Sequence, residues 1–444
     1  VKAVDLIVIG SGQGGVPLAA DAAAAGHKVM LFERGSLGGS CVNYGCTPSK
    51  AFLAAAHGAG RARSAAHLGV HATLRIDFPA VMERVRKIRQ DFVDGVKRRL
   101  DKANVEVVHA EATLGEDGVV RAGDIEATAR RIVINTGTTA RIPRIVGLAG
   151  TPYLTNANFF DLRELPRRTA VLGGGYIGLE LGQGLARLGS QVHLIHRGKR
   201  PLDHEEPEIG DTLTTALERD GIELRMQTEL RGVSHDGREF TLELSDGGKL
   251  VTDALLVALG RTPNTKTLTG VDKDNRGYVV INERFETSRP GVWAIGDAAG
   301  QPAFTHVSWE DYRRLSELWK GETRTRDDRV LAYAVYTEPQ VGRVGLSLQQ
   351  ASAQGLEVRH VEMPVTHIAR AIEWGHDLGF YRLVVERGSD RIVGATFVGY
   401  EAGELIHVIL AHIMAGSKWQ LLDQSVHIHP TYGEGLPSLA RLLE

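Results

Sequence analysis

Both cysteines of this 444-residue chain fall in one short stretch, "GGSCVNYGCTPSK", as Cys41 and Cys46. Two thiols in C-x4-C spacing admit few chemistries. Structural zinc needs four nitrogen or sulfur ligands, usually in pairs. There is no second cysteine pair, and the nearest histidine, His57, has no partner at ligand spacing. One short-range staple adds little to a chain this long. Two inert buried thiols or a redox pair remain. Residues five apart on a regular helix rise about 7.5 Å and point about 140° apart, whereas a disulfide needs Cα atoms roughly 4.4–6.8 Å apart. The pair therefore closes only if the backbone leaves ideal helix geometry, and Gly45 and Pro48 both disturb helices. A bridge made there is easily reduced, which suits a catalyst better than a staple.

The elements that must position such a pair are legible on either side of it. "DLIVIGSGQGGVPLAADAAAAGHKVMLFER" reads as strand, glycine-rich turn, helix, strand, with Gly10, Gly12 and Gly15 in G-x-G-x-x-G spacing and Glu33 ending the second strand. In that context the pattern is a dinucleotide fingerprint: the glycines admit a pyrophosphate to a helix N-terminus, and the acid suits a ribose hydroxyl pair. "RTAVLGGGYIGLELGQGLARLGSQVHLIHR" repeats it with Gly173, Gly175 and Gly178. Here the second strand runs into His196-Arg197-Gly198-Lys199-Arg200 in place of an acid, and basic residues there welcome the extra phosphate of NADP. "TSRPGVWAIGDAAG" is a strand ending in Gly296-Asp297, at the sheet edge where ligands of doubly wound folds bind. Phe78 to Leu100 has helical periodicity and many charges, a surface helix. From about Val330 the character changes to an α+β unit that contains a hairpin-like pair, "FYRLVVERGSDRIVGATFVG".

Composition is that of a globular chain, 43% hydrophobic and 24% charged, long enough for two or three domains. The net charge of -2 argues against a polyanionic partner, so nucleic acid binding is not expected. No window has the apolar length of a membrane span, and the chain enters directly into "VDLIVIG" without a signal-peptide pattern. Two cysteines and no targeting segment point to the reducing cytoplasm, where a persistent pair is more often catalytic than structural.

Together these elements resemble the class I pyridine nucleotide–disulfide oxidoreductases, the family of dihydrolipoamide dehydrogenase, glutathione reductase and mercuric reductase. The likeness rests on the two fingerprints, the redox stretch, the Gly296-Asp297 turn and the terminal "HPTYGE", and runs from Asp5 to near the C-terminus. "INTG", "FTHVSWEDYR" and "MPVTHIARA" look most like a mercuric-reductase-like branch, here without that enzyme's C-terminal cysteine pair. The resemblance implies an α/β fold: two Rossmann-like dinucleotide-binding domains, for FAD and NAD(P)H, plus a C-terminal α+β dimerisation domain. The implied division is 1–143 and 262–329 for FAD, 144–261 for NAD(P)H, and 330–444 for dimerisation.

Residue roles follow from the same resemblance. Cys41 would be the interchange thiol and Cys46 the thiol against the flavin, forming a charge-transfer complex with it. Lys50, near the flavin, would pair with Glu180. His429 would be the acid-base and Glu434 the carboxylate that orients it; a histidine of near-neutral pKa suits proton transfer to and from a thiol. Gly10, Gly12, Gly14, Gly15, Glu33, Arg34, Gly39, Ser40, Lys50, Thr136, Gly137, Gly296 and Asp297 would hold FAD. Gly173, Gly175, Tyr176, Ile177, Gly178, Glu180, Arg197 and Gly260 would hold NADPH or NADH, with Tyr176 covering the flavin face where nicotinamide docks. No resident metal is expected, and His407 and His412 read as packing residues. The expected reaction is NAD(P)H to FAD to the Cys41–Cys46 disulfide to a small disulfide acceptor, as in dihydrolipoamide dehydrogenase, in a homodimer. Two alternatives stay open: reduction of Hg(II) or Cu(II), and a non-catalytic redox sensor or subunit of a larger complex.

Overall fold

The computed structural model describes residues 1–444. Strand β1 (Lys2–Ile9) ends in four buried residues, as the middle of a covered parallel sheet requires. It turns at Gly10, whose φ of +105° and close approach to the Asn135 carbonyl exclude a side chain, and feeds helix α1 (Gly15–Ala24). Strand β2 (Val29–Phe32) follows, then α2 (Gly39–Tyr44) and α3 (Cys46–Ser64). The charged helix α4 spans Phe78–Lys102, close to its sequence expectation. Strands β3 (Glu106–Val108), β4 (Thr113–Leu114), β5 (Val120–Ala122), β6 (Ile125–Ile134) and β7 (Thr138–Ala140) complete this part.

The second nucleotide unit repeats the plan. It runs β8 (Arg168–Leu172), α5 (Tyr176–Leu188), β9 (Gln191–His196), α6 (Pro207–Arg219) and β10 (Glu223–Met226). A meander of β11 (Leu230–His235), β12 (Phe240–Leu244) and β13 (Lys249–Thr252) precedes β14 (Ala254–Val257), and the parallel order is β10-β9-β8-β14. The chain then returns to the first unit. β15 (Arg261–Pro263) pairs with β7, and β16 (Val292–Ala294) lies parallel to β6 with Val292 opposite Ile132. The first sheet thus reads β3-β2-β1-β6-β5-β4 with β16 beside β6. Helix α7 (Thr305–Trp319) closes this part.

The remainder is a five-stranded antiparallel sheet with helices. Its elements are β17 (Ala332–Val335), β18 (Gln340–Gly345), α8 (Leu348–Ala353), β19 (Val358–Pro364), α9 (Ala369–Trp374), β20 (Phe380–Glu386), β21 (Ile392–Gly399), α10 (Ala402–Met414), α11 (Trp419–Gln424) and α12 (Gly435–Arg441). The hairpin expected from "FYRLVVERGSDRIVGATFVG" is β20–β21, but its burial does not alternate. Both faces are covered. Tyr381, Leu383 and Val385 join the core of this unit, while Phe380 joins a core shared with α3, α5 and α6. The C-terminal sheet is therefore packed on the second nucleotide unit. No helix is long and apolar enough to cross a membrane.

Candidate active site

Gly45 breaks the helix between the two cysteines. α2 ends at it, its backbone (φ -131°, ψ -122°) is far from helical, and α3 begins at Cys46. This is the departure from ideal helix that a closable pair requires. A Cβ on Gly45 would stand 2.9 Å from the Ser40 carbonyl oxygen, so the two helices fold tightly onto each other there. Both cysteines are free thiols, Cys41 half-buried and Cys46 exposed on the wall of a large cleft.

The two thiols are unequal. Cys46 is pulled down to about 6, chiefly by the hydrogen bond from Cys41, against burial, and with help from the Thr305 hydroxyl and the Lys50 charge. Its Sγ lies 3.1 Å from Thr305 Oγ1 at the start of α7. Cys41 is pushed far up, by donating to Cys46, by burial and by the Cys46 charge. Lys50, one turn along α3, donates to Glu180 Oε2 of α5 at 2.7 Å and stands 4.5 Å over the Tyr336 ring. The other Glu180 oxygen accepts the Tyr336 N–H at 2.9 Å. Burial opposes the Lys50 charge, but Glu180 outweighs it and holds the ammonium above its ordinary value.

One cleft of about 1790 Å³ joins this pair to both glycine-rich turns. On the first side Glu33 accepts from Ser11 N–H (3.0 Å) and Ser11 Oγ (2.6 Å), fixing the acid against the turn. Asp297 accepts from Thr138 Oγ1 at 2.7 Å, and Arg261 bridges Thr138 and Ser40. Arg34 pairs with Glu111 at the mouth. Gly10, Gly12, Gly39 and Thr136 also line the cleft. Gly137 and Gly260 line it at positive φ, and Gly175 beside them; all three have open space where a Cβ would stand, a cradle that admits a large planar cofactor against bare backbone. The residues present therefore fit FAD on one side and a pyridine nucleotide on the other.

Four predicted glycines lie behind the wall. A Cβ on Gly15 would meet the Gly10 oxygen at 2.2 Å, and one on Gly178 the Gly173 oxygen at 2.0 Å. Gly14 and Gly296 are closed off by Ser308. The first two serve close packing of helix on strand, and the other two the close approach of α7. On the nucleotide side Gly173, Ile177, Tyr176 and Arg197 line the cleft. Of the basic run, His196 pairs with Asp203 at 3.3 Å and Arg200 pairs with Asp211, leaving Arg197 and Lys199 exposed.

His429 and Glu434 are joined, Nδ1 to Oε2 at 2.7 Å, but they are outside the cleft. The His429 side chain is 73% exposed. Its loop packs at the far end of α3 from Cys46. The Arg61 guanidinium covers the Tyr400 ring at 4.9 Å, Tyr400 meets Tyr432 at 5.4 Å, and Tyr432 is three residues past His429. Arg61 is fifteen residues beyond Cys46 on α3, about 22 Å of helix. Around this loop Val426 is 100% and Ile428 77% exposed, with Met414 and Leu421 also bare. His407 is exposed on α10 and His412 half-exposed. No group of three or more metal-ligating side chains converges anywhere.

Sequence reasoning missed Thr305, Arg261, Tyr336 and Asn135 in this site. Asn135 lies in "INTG" and Thr305 in "FTHVSWEDYR", and Arg261 follows Gly260 in the Gly-Arg turn that ends a strand; Tyr336 carried no local signal. In the amide orientation that satisfies both ends, Asn135 Oδ1 accepts from Gly15 N–H at 3.0 Å and Gly12 N–H at 3.2 Å.

Residues 4–311 match the family model described as pyridine nucleotide-disulphide oxidoreductase, and residues 331–440 match the dimerisation domain of that family. The chain is 33% identical to a dihydrolipoyl dehydrogenase of Thermus scotoductus, over 100% of this chain and 98% of that one. It is 34% identical to a mercuric reductase of Acidithiobacillus ferrooxidans, over 98% of this chain and 82% of that one. Among solved structures it is similar to the Cu(II) complex of the HOCl-induced flavoprotein disulfide reductase RclA from Escherichia coli, with a TM-score of 0.91 at 29% identity and full coverage of both chains. With a split-helix thiol pair between two glycine-rich turns, and these matches over nearly its whole length, the chain belongs to the pyridine nucleotide–disulfide oxidoreductases, flavoenzymes that use FAD and NAD(P)H.

Proposed function

We propose that reducing equivalents pass from NAD(P)H through FAD to the Cys41–Cys46 pair, and from Cys41 to a small disulfide of the lipoamide kind. The observation that carries this reading is the position of the thiol pair, on the wall of the one cleft that joins both glycine-rich turns, with Cys46 Sγ 3.1 Å from Thr305 Oγ1. Bound FAD supplies hydride acceptance and two-electron delivery to sulfur. The chain's own residues do the rest. When the pair is reduced, Thr305 and Lys50 hold Cys46 as thiolate while Cys41 keeps its proton. A Cys41 thiol pushed this far up needs a base before it can attack. His429, oriented by Glu434, is the base in this reading, and its distance from Cys46 along α3 supports its serving a second copy's cysteines. The Cys41 sulfur then bonds to one acceptor sulfur and the acceptor S–S bond breaks. The departing thiolate takes the proton held on His429. The Cys46 thiolate next attacks the Cys41 sulfur, restores the disulfide and expels the second thiolate, which takes a proton that His429 draws from solvent. Two electrons and two protons reach the acceptor.

The exposed apolar residues around His429 and the matched dimerisation domain support a homodimer with shared sites. The domain division 1–143 with 262–329, 144–261, and 330–444 is proposed with it. So is NADPH as preferred donor, on Arg197 and Lys199 and against the carboxylate of Asp203, which lines the same wall. A reactive pair kept in a chain with no other cysteine suits the reducing cytoplasm.

Metal-ion reduction is the second reading, favoured by the RclA structure being a Cu(II) complex. Mercury suits it least, because only two cysteines are present to relay a soft ion. The joined His429–Glu434 pair counts against a non-catalytic sensor, which has no use for an acid-base. The test is steady-state oxidation of NADPH and NADH against lipoamide, glutathione disulfide, Hg(II), Cu(II) and a quinone. A low-molecular-weight disulfide should give the highest kcat/KM, lost in Cys41→Ser. Turnover of Cu(II) alone, with no disulfide reduced, overturns the disulfide reading.

A further inference from the structure

Tyr176, the first residue of α5, does not hang free in the cleft. Its hydroxyl donates to Glu205 Oε1 at 2.9 Å. The Tyr333 hydroxyl, from β17 of the C-terminal unit, reaches both oxygens of the same carboxylate at 2.8 and 2.9 Å. Phe304 stacks against both rings, with centroids 5.9 Å from Tyr176 and 4.9 Å from Tyr333. The Glu205 side chain is only 9% exposed, on the loop between β9 and α6. That loop is anchored next door: Glu206 takes Arg343 at 2.8 Å, Thr396 at 2.9 Å and Arg382 at 3.2 Å.

The carboxylate also has a second partner within reach. Arg343, 3% exposed, holds its Nε 3.9 Å from Glu205 Oε2, and that Nε has no hydrogen-bond partner. A small swing of Glu205 would exchange two tyrosine hydroxyls for a buried guanidinium N–H. Buried donors left unpaired are costly, so the exchange compensates in part for the bonds it breaks. Two discrete arrangements of one side chain are what a latch requires.

Resting on the reading that Tyr176 covers the nicotinamide site, we propose that Glu205 is a positioning residue that latches Tyr176 shut, with Tyr333 holding the latch and Arg343 receiving it when the pyridine nucleotide opens the site. Glu205 borders the cleft and Tyr333 stands behind it. They act on binding through the fraction of molecules whose site is open, because apparent affinity scales with that fraction.

The test is calorimetric binding of oxidised NADP+ or NAD+, whichever the flavin-loaded enzyme takes, to the unaltered protein and to Glu205→Gln, Tyr176→Phe, the double variant of these two, and Tyr176→Ala. Each single change weakens the latch and should tighten binding by a similar factor, up to roughly tenfold. The double variant should bind no tighter than the stronger single one. Tyr333→Phe, which leaves the carboxylate in place, provides the same comparison if Glu205→Gln folds poorly. Additive effects, or unchanged affinity in Glu205→Gln and Tyr333→Phe while Tyr176→Ala binds tighter, overturn the latch alone. Unchanged or weaker binding in Tyr176→Ala overturns the placement of Tyr176 over the nicotinamide site, and the latch with it.

Discussion

His429 and Glu434 are hydrogen-bonded, Nδ1 to Oε2 at 2.7 Å, on a loop that faces away from the cysteines of their own chain. The bond leaves Nε2 as the working nitrogen. His429→Ala should slow the dithiol–disulfide step roughly 10²–10⁴-fold, the usual worth of a positioned acid-base. Glu434→Gln should slow it less, since the imidazole stays in place. Stopped-flow mixing of the reduced enzyme with acceptor measures this step, and reduction by NAD(P)H should keep its rate in both variants.

If that histidine serves the other subunit, two dead chains should revive each other. Cys41→Ser and His429→Ala chains, each inactive, are mixed under conditions that let subunits exchange. The heterodimer keeps one site with both residues intact, so activity should return. An inactive mixture, with heterodimer confirmed, means each chain uses its own histidine.

The Lys50–Glu180 pair ties the redox helix to the nucleotide unit, with side chains 36% and 8% exposed. Glu180→Ala strands a lysine that burial already disfavours, and it also frees the Tyr336 N–H. Because Lys50 keeps a third of its exposure, the expected loss is about 1–3 kcal/mol, below that of a fully buried pair. Thermal unfolding of the flavin-loaded enzyme measures it, and Glu180→Gln, which keeps a hydrogen-bond acceptor, should lose less.

Arg197 lines the nucleotide side of the cleft without an ion-pair partner, whereas its neighbour Arg200 is occupied by Asp211. Arg197→Glu should lower kcat/KM for NADPH more than for NADH, and Asp203→Ala should move the ratio the other way. A starting preference for NADH that Arg197→Glu leaves unchanged contradicts the assignment.

What the sequence makes legible follows the range of the interactions. The glycine-rich turns and the broken redox helix are local, so their spacing shows them. The pair of Glu180 with Lys50 lies 130 residues apart and was reached only through resemblance. Thr305 meets Cys46 across 259 residues, and Tyr333 meets Glu205 across 128, contacts that no local pattern encodes. The evenly buried β20 shows the same limit, because the second nucleotide unit covers the face that a lone hairpin would show to water. Gly15 and Gly178 belong to the fingerprints, and Gly14 and Gly296 to the expected FAD site, yet none of the four touches the cleft, since a glycine required for packing and one required for ligand approach look identical in sequence.

The most direct test of the relay is the long-wavelength absorbance of a Cys46 thiolate beside oxidised flavin. Two-electron reduction of the unaltered enzyme should produce it. Because Cys46 titrates near 6 when Cys41 donates to it, the band should persist at neutral pH and fade as pH drops through about 6. Cys41→Ser should show the band without any reduction, and Cys46→Ser should never show it. A band in Cys46→Ser, or none in Cys41→Ser at any pH, would contradict the assignment of Cys46 as the thiol that faces the flavin.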